Sequence, residues 1–196
     1  MRSQTELYLP SIVDVSRETW ERLEVFFSWH EKCRSYSSFT KYRDEEDFWK
    51  RHVGNSLQLV PYIQSQDVIL DVGTGGGFPG VVLAALGFEV ILSDLDRKKR
   101  FFLKEALRQM NLDCPVIADS KAYEGFFSVV TARAVTSLKD LFTLVPRVSR
   151  ETKGLFLKGG RLAEEIDEAK KVADFSYKVH HYGEGSVLEV LWTTSS

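Results

Sequence analysis

Residues 1–65 show the spacing of apolar side chains that is typical of helices. Apolar residues recur every three or four positions over residues 20–29, and Ser16 stands before this stripe as a candidate N-cap. A second stripe covers residues 48–60, where Asp44 can provide the cap. The pattern predicts two helices that are joined by a polar loop.

From residue 66 onward, short apolar runs alternate with amphipathic stretches. Strands that alternate with helices in this way indicate a mostly parallel sheet with right-handed crossovers. The last two runs are separated by only a few residues, too few for a parallel crossover, so they must pair as an antiparallel hairpin. We predict strands at 68–72, 89–94, 116–118, 128–133, 154–158, 176–181 and 187–192, and helices at 79–86, 97–110, 137–144 and 161–173.

Composition and charge narrow the class of protein. The chain has 196 residues, which suits a single domain, and its formal net charge of −2 excludes a wholly basic nucleic-acid binder. Cys33 and Cys114 have no metal-ligand spacing and cannot form a disulfide framework, so we expect a reducing compartment and no metal. No apolar run reaches the ~18 residues that span a bilayer. We expect a helical segment, residues 1–65, packed on a sheet domain, residues 66–196, as one compact unit.

A glycine-rich loop follows the first predicted strand. It begins at Asp71 and continues through Gly73, Gly75 and Gly77 to Gly80, at the carboxyl edge of the sheet, where open α/β folds bind ligands. Three interpretations fit: a tight turn without a ligand, a dinucleotide fingerprint, or a binding loop for S-adenosylmethionine. The last three of these glycines satisfy G-x-G-x-x-G, which is a weak signal on its own.

Two features favour the methyl donor over a dinucleotide. The acid before the first glycine, Asp71, can accept a hydrogen bond from a methionine amine or from a nearby N–H group. The closing antiparallel hairpin is the second feature. Asp94, about 20 residues further on at the end of the second strand, can bind ribose hydroxyls in either kind of site.

The loop and four further motifs resemble those of a known family. Residues 71–80 are similar to the D-V-G-T-G-x-G-(L/F)-P-G signature of the RsmG family (glucose-inhibited division protein B), the bacterial 16S ribosomal RNA guanine-N7 methyltransferases. Order and spacing agree from about residue 29 to residue 159. The further motifs are residues 51–56 (R-H-(I/V)-x-(D/N)-S), 98–103 (K-(K/R)-x-x-F-L), 131–138 ((S/T)-(A/S)-R-A-x-x-(S/P)-L) and 157–159 (L-K-G).

The resemblance implies a fold, a cofactor and a set of site residues. The fold is α/β, the Rossmann-like class I S-adenosylmethionine methyltransferase sheet, formed by residues 66–196. Arg133 and Lys158 would position the substrate without a general base, because guanine N7 carries a free lone pair and no proton. We interpret His52 as a hydrogen-bonding residue beside the site rather than as a base. S-adenosylmethionine would be bound by Asp71, Gly73, Thr74, Gly75, Gly77, Phe78, Asp94, Lys121, Ala122 and Arg133.

A basic segment supplies most of the candidate RNA-binding residues. Residues 97–108 carry six basic side chains and one acid, within a chain whose net charge is −2. Such a helix face can neutralise phosphates, although a solvated surface helix has the same pattern. Aromatic residues of the predicted loop, Tyr36, Phe39 and Tyr42, could also stack RNA bases. The RNA-binding set is Arg97, Lys98, Lys99, Arg100, Arg133 and Lys158.

Together these features predict a cytoplasmic enzyme that methylates N7 of a guanine in a loop of 16S ribosomal RNA. Its partner would be that RNA or the small ribosomal subunit; we expect a monomer without membrane association. Two other functions fit the same residues. One is a small-molecule methyltransferase, since the fold alone does not choose the acceptor. The other is a non-catalytic RNA-binding protein of ribosome assembly, against which the intact glycine loop argues.

Overall fold

The computed structural model describes residues 14–35, 39–145, 151–183 and 185–193. Within these ranges no helix combines the length and the apolar character needed to span a membrane. The helices are α1 (Arg17–Cys33), α2 (Glu45–Asp47), α3 (Asn55–Leu57), α4 (Gly80–Ala85), α5 (Arg97–Gln109), α6 (Leu138–Leu144) and α7 (Leu162–Lys170), with a π-helical turn at Phe48–Gly54 and 3-10 turns at Val60–Tyr62 and Ser120–Ala122. The strands are β1 (Val68–Val72), β2 (Glu89–Ser93), β3 (Val116–Ile117), β4 (Val129–Arg133), β5 (Glu151–Lys158), β6 (Phe175–Tyr182) and β7 (Gly185–Thr193).

The strands form one seven-stranded sheet in the order β3-β2-β1-β4-β5-β7-β6. Pairing is parallel from β3 across to β5, whereas β7 pairs antiparallel with both β5 and β6. This arrangement confirms the predicted fold class. The strand order reverses between β1 and β4, and ligands of open α/β sheets bind beyond the carboxyl ends of the strands at such a switch point.

Different helices cover the two faces of the sheet. On one face, Val129 of β4 and Leu155 of β5 pack into a core with α1, α4, α5 and the helical residues between 48 and 57. On the other face, Val130 and Phe156 pack with α6 and α7. Because strand side chains alternate between the faces, the last residue of each strand is directed toward one helical layer or the other.

The N-terminal helices begin at the predicted caps. The Ser16 hydroxyl accepts a hydrogen bond from the Thr19 N–H at 3.2 Å, and the Asp44 carboxylate accepts one from the Asp47 N–H at 2.8 Å. The predicted second helix is present as one continuous helical segment, residues 45–57, in which a π-helical turn lies between α2 and α3. Apolar spacing could not reveal this turn, since both helix types keep the same side chains in the core.

Two aromatic residues of the loop before α2, Phe39 and Tyr42, pack against the protein. Tyr42 is 9% exposed, and its hydroxyl donates a hydrogen bond to Glu31 at 2.7 Å. Phe39 packs against Phe102 of α5 with ring centroids 5.5 Å apart. Tyr36 lies outside the described residues. The prediction of base stacking was therefore wrong for Tyr42, whose ring belongs to the core.

Candidate active site

Asp71 is buried near the end of β1, at the switch point between β1 and β4. Its buried carboxylate accepts a hydrogen bond from the Thr131 hydroxyl at 2.7 Å and another from the Gly80 N–H at 3.0 Å. Burial raises the pKa of Asp71 to about 6, although these hydrogen bonds and the charge of Arg133 oppose the shift. Two roles were predicted for Asp71. The structure shows one of them, a hydrogen bond from a nearby N–H group, that of Gly80, and this bond fixes the start of α4.

Gly75 is the position in the loop where a side chain would meet open space. Its φ is +59°, and a Cβ placed there would have only the Gly73 carbonyl oxygen nearby, at 3.8 Å. A Cβ at Gly73 would lie 2.7 Å from Val135, one at Gly77 would lie 2.8 Å from Phe26, and the other glycines of the loop are similarly crowded. Those glycines serve packing within the protein, whereas Gly75 borders a space that suits a ligand lying over the loop.

Asp94 places a carboxylate beside this space. The Asp94 carboxylate accepts hydrogen bonds from the N–H groups of Gly75 and Asp96, both at 2.9 Å, and a carboxylate retains further lone pairs for ribose hydroxyls. The Thr74 hydroxyl is buried beside Asp71, where it opposes the rise in the pKa of that carboxyl. The open space at Gly75 and the remaining lone pairs of Asp94 fit a polar ligand such as S-adenosylmethionine.

His30 holds the glycine loop from the side of α1. Its Nε2 donates a hydrogen bond to the Gly76 carbonyl oxygen at 2.9 Å, and its ring stacks on Phe78 with centroids 5.5 Å apart. Burial lowers the pKa of His30 to about 3, so the ring is neutral at pH 7. Sequence reasoning did not assign this residue a role. A histidine within the apolar stripe of α1 was the available signal.

We expect His30 to make the protein less stable as the pH falls below about 6.5. Its pKa is lowered from 6.5 to about 3 in the fold, so over this range the unfolded chain binds the proton and the folded chain does not. The loss in the free energy of unfolding should be on the order of 2 kcal/mol at pH 5. Denaturant unfolding of the wild type at pH 7 and pH 5 measures it.

The control for this prediction is His30→Gln, which keeps a donor for the Gly76 carbonyl but cannot titrate. His52 has a lowered pKa and adds to the loss, whereas Asp71 has a raised pKa and opposes it. The difference between the wild type and His30→Gln therefore isolates the contribution of His30. An equal pH dependence in both proteins would contradict the prediction.

Arg133, the last residue of β4, points toward the N-terminal helices at the edge of the site. Its guanidinium donates hydrogen bonds to the Arg51 carbonyl oxygen at 3.2 Å and to His52 Nδ1 at 2.8 Å, and lies 4.9 Å from the ring centre of Phe78. Burial lowers the pKa of Arg133 to about 10, which leaves it positively charged at pH 7. Ala134 has a left-handed φ of +52°, so the chain turns sharply directly after this side chain.

His52 orients Arg133 and carries no positive charge itself. Because Nδ1 accepts from Arg133, the ring proton belongs on Nε2, which donates to the Lys41 carbonyl oxygen at 3.0 Å. Burial and the charge of Arg133 lower the pKa of His52 to about 4. The residue therefore links Arg133 to the loop before α2. This geometry agrees with its predicted role as a hydrogen-bonding residue beside the site.

Lys158 forms an ion pair on the opposite face of the sheet. Its Nζ lies 2.6 Å from Glu165 of α7 and 3.5 Å from the Thr136 carbonyl oxygen, and its side chain is 10% exposed. Glu165 also accepts a hydrogen bond from the Leu138 N–H at 3.2 Å. The structure therefore does not bring Lys158 and Arg133 together. Lys158 instead connects α7 to the loop that precedes α6.

The basic residues at the start of α5 divide into two pairs. Lys99 lies 3.6 Å from the Asp94 carboxylate, and Arg100 donates hydrogen bonds to the carbonyl oxygens of Asp94 and Leu95 at 2.8 and 2.7 Å. This pair supports the Asp94 loop. The side chains of Arg97 and Lys98 are exposed and form no hydrogen bond or ion pair with any described residue.

The remaining donor-site candidates differ in exposure. Lys121 and Ala122 are exposed in the 3-10 turn after β3, where the Asp119 carboxylate accepts a hydrogen bond from the Lys121 N–H at 2.9 Å. Phe78 is 2% exposed, so its ring supports Arg133 and His30 from within the core. The part of the chain that the structure describes contains no cluster of His, Cys, Asp and Glu that could hold a metal ion.

The fold and this site define an S-adenosylmethionine-dependent methyltransferase of the Rossmann-like class. Solved structures with this fold include the following two. Magnesium protoporphyrin IX methyltransferase from Synechocystis PCC 6803, with bound S-adenosylmethionine, aligns with a TM-score of 0.56 and 12% identity over 92% of this chain and 100% of its own. Ribosomal protein L11 methylase from Lactobacillus delbrueckii subsp. bulgaricus aligns with a TM-score of 0.57 and 15% identity over 74% of this chain and 79% of its own.

Sequence comparison identifies the family within this class. The family described as rRNA small subunit methyltransferase G (GidB) matches residues 21–186. Ribosomal RNA small subunit methyltransferase G from Rickettsia felis is 34% identical over 185 residues, which cover 91% of this chain and 96% of the relative. The Rickettsia prowazekii protein of the same name is 34% identical over 182 residues, 90% of this chain and 95% of the relative. The chain belongs to this family.

Proposed function

We propose that the protein transfers a methyl group from S-adenosylmethionine to N7 of a guanine in 16S ribosomal RNA. The observation that carries the proposal is the open space at Gly75, beside Asp94, at the switch point of a methyltransferase sheet. Relatives named as methyltransferases of small-subunit ribosomal RNA supply the substrate class. We expect the enzyme to act as a monomer in the cytoplasm, on the free RNA or on the small ribosomal subunit.

The proposed reaction requires the protein to position the two substrates and does not require it to transfer a proton. When bound, S-adenosylmethionine would supply a methyl group on a sulfonium, whose sulfur would keep the electron pair of the broken bond. Guanine N7 forms the new bond with its in-plane lone pair and loses no proton, so no general base is needed. The protein's residues can therefore accelerate the reaction by orienting the two substrates and excluding water.

Each site residue has a role in this scheme that its contacts support. Asp71 and His30 hold the glycine loop in shape from its two sides, and Asp94 is placed to bind ribose hydroxyls. Methylation leaves a positive charge on the imidazole ring of guanine, so a cation directly against N7 would oppose the reaction. Arg133 is therefore suited to guanine O6 or to a phosphate, both of which accept hydrogen bonds from a guanidinium.

Ribosomal RNA provides the test of the proposal. Aniline cleaves reduced RNA at 7-methylguanine, so 16S RNA from cells that lack this protein should lose one cleavage site. Expression of the wild-type protein should restore the site, and expression of Gly75→Val should not. Primer extension across the cleaved RNA measures both outcomes. An identical cleavage pattern in all strains would refute the 16S assignment and leave a small-molecule methyltransferase as the alternative.

A further inference from the structure

Two large apolar side chains are exposed next to the candidate donor site. Leu95, in the loop between β2 and α5, is 76% exposed, and Phe101, on the second turn of α5, is 73% exposed. The ring of Phe101 contacts no other aromatic ring among the described residues. The Phe101 ring does not contribute to the buried side of α5, which includes Phe102, Leu103 and Ala106.

Positive charges surround Phe101 on the helix surface. Residues three or four positions apart on a helix are neighbours, which places Arg97, Lys98 and Lys104 around the ring. Their side chains form no ion pair with any described residue. Glu105 is the acidic neighbour, and its charge is matched by Arg108 at 2.6 Å, with Lys32 of α1 also near it. Asp96, at the start of α5, uses one carboxylate oxygen to cap the N–H groups of Lys98 and Lys99.

An aromatic ring within a set of unpaired cations matches the chemistry of single-stranded RNA. The ring offers a flat apolar surface on which an unpaired base can stack, and the cations can bind the phosphates on either side of it. A protein partner would need acidic groups or a broader apolar surface. These cations begin at Arg97, three residues beyond Asp94, so RNA bound there would continue to the edge of the donor site.

We propose that Phe101 stacks on an unpaired base of the substrate RNA while Arg97, Lys98 and Lys104 hold the neighbouring phosphates. This inference rests on the proposed function, because it assumes an RNA substrate. It also divides the basic segment of α5 between two tasks. Lys99 and Arg100 support the donor loop. The RNA-binding part is the Phe101 patch, which consists of Arg97, Lys98, Phe101 and Lys104.

Binding of in vitro transcribed 16S ribosomal RNA to Phe101→Ala tests the proposal. Affinity should fall roughly 5- to 150-fold, as for the loss of one base–aromatic stack. The slope of log affinity against log salt should stay the same, because no charge is removed. Replacing Arg97, Lys98 and Lys104 together by Gln should instead lower that slope by about 2, since each phosphate contact on a single strand contributes ~0.7. Filter binding at several salt concentrations measures both.

Two matched variants and two readouts separate the possible results. Phe101→Trp should retain RNA affinity because it keeps a stacking ring, and Phe126→Ala removes another exposed phenylalanine, 57% exposed, from outside α5. S-adenosylmethionine affinity should be equal in all variants, which shows that they are folded. Wild-type RNA affinity in Phe101→Ala would overturn the inference. It would also be overturned if Phe101→Ala lost binding to phosphatidylglycerol vesicles but kept its binding to RNA. If the wild type itself neither binds nor methylates the RNA, the proposed function fails first.

Discussion

A Gly75→Val variant should lose S-adenosylmethionine binding while the domain stays folded. Gly75 has a φ of +59°, and a Cβ there meets nothing of the protein closer than 3.8 Å. The new side chain would therefore project into the space over the loop without disturbing the core. A bound donor has to lie against the loop backbone at this point, and the valine would occupy its place. Isothermal titration calorimetry with S-adenosylmethionine should detect no binding.

The control for this prediction is Gly87→Val, at the end of α4 and away from the carboxyl edge of the sheet. Gly87 also has a positive φ, +94°, and a Cβ there meets no atom within 4 Å. The two variants thus share the cost of a side chain in the left-handed region, about 1–2 kcal/mol, and differ in whether they border the donor space. Unchanged affinity in Gly75→Val would refute this site. Binding of NADH without S-adenosylmethionine by the wild type would restore the dinucleotide interpretation.

The order of the elements was readable from the sequence because each has a strong local signal. The helix at 97–110 was predicted from the pattern of apolar residues, and α5 covers Arg97–Gln109 with Phe102, Leu103 and Ala106 buried. The position of Asp94 at the carboxyl edge followed from its place directly after a strand. These features depend on short stretches of chain, in which the periodicity of apolar residues and the turn residues are sufficient.

The partners of the site residues were not readable, because they come from distant parts of the chain. Arg133 and Lys158 both end parallel strands, so their common edge was predictable. Their opposite faces depend on register: Arg133 pairs with Leu157, so Lys158 lies one position further and points the other way. No local sequence pattern indicates that Lys158 forms an ion pair with Glu165 of α7, or that Arg133 donates a hydrogen bond to His52.

The same register argument favours Arg133 over Lys158 for the substrate positioning that we propose. The charge of Lys158 is already matched by Glu165, whereas Arg133 is held by a carbonyl oxygen, a neutral histidine and an aromatic ring. None of these three partners carries a negative charge, and Asp71 acts on the guanidinium through space without a direct ion pair. The guanidinium can therefore still bind a phosphate or guanine O6. Its planar fork is also fixed in orientation before the substrate arrives, which reduces the entropy lost on binding.

Arg133→Ala should lower methyl transfer to 16S ribosomal RNA by at least ~10²-fold, as expected for the loss of a positioning group. Transfer of labelled methyl from S-adenosylmethionine to the RNA measures the effect. Arg133→Lys should recover only part of the rate, because an ammonium cannot form the paired hydrogen bonds of a guanidinium. Removal of Arg133 also leaves His52 Nδ1 without its donor, so thermal unfolding of each variant accompanies the rate measurement.

Arg22→Ala is the matched control, since it removes a partly buried arginine of α1 that is paired with Glu18. Its transfer rate should equal that of the wild type. A shared loss in Arg22→Ala and Arg133→Ala would indicate a general effect of charge on RNA binding rather than positioning. A rate in Arg133→Ala within about threefold of the wild type would contradict the assignment, because a group that orients the acceptor cannot be removed at so small a cost.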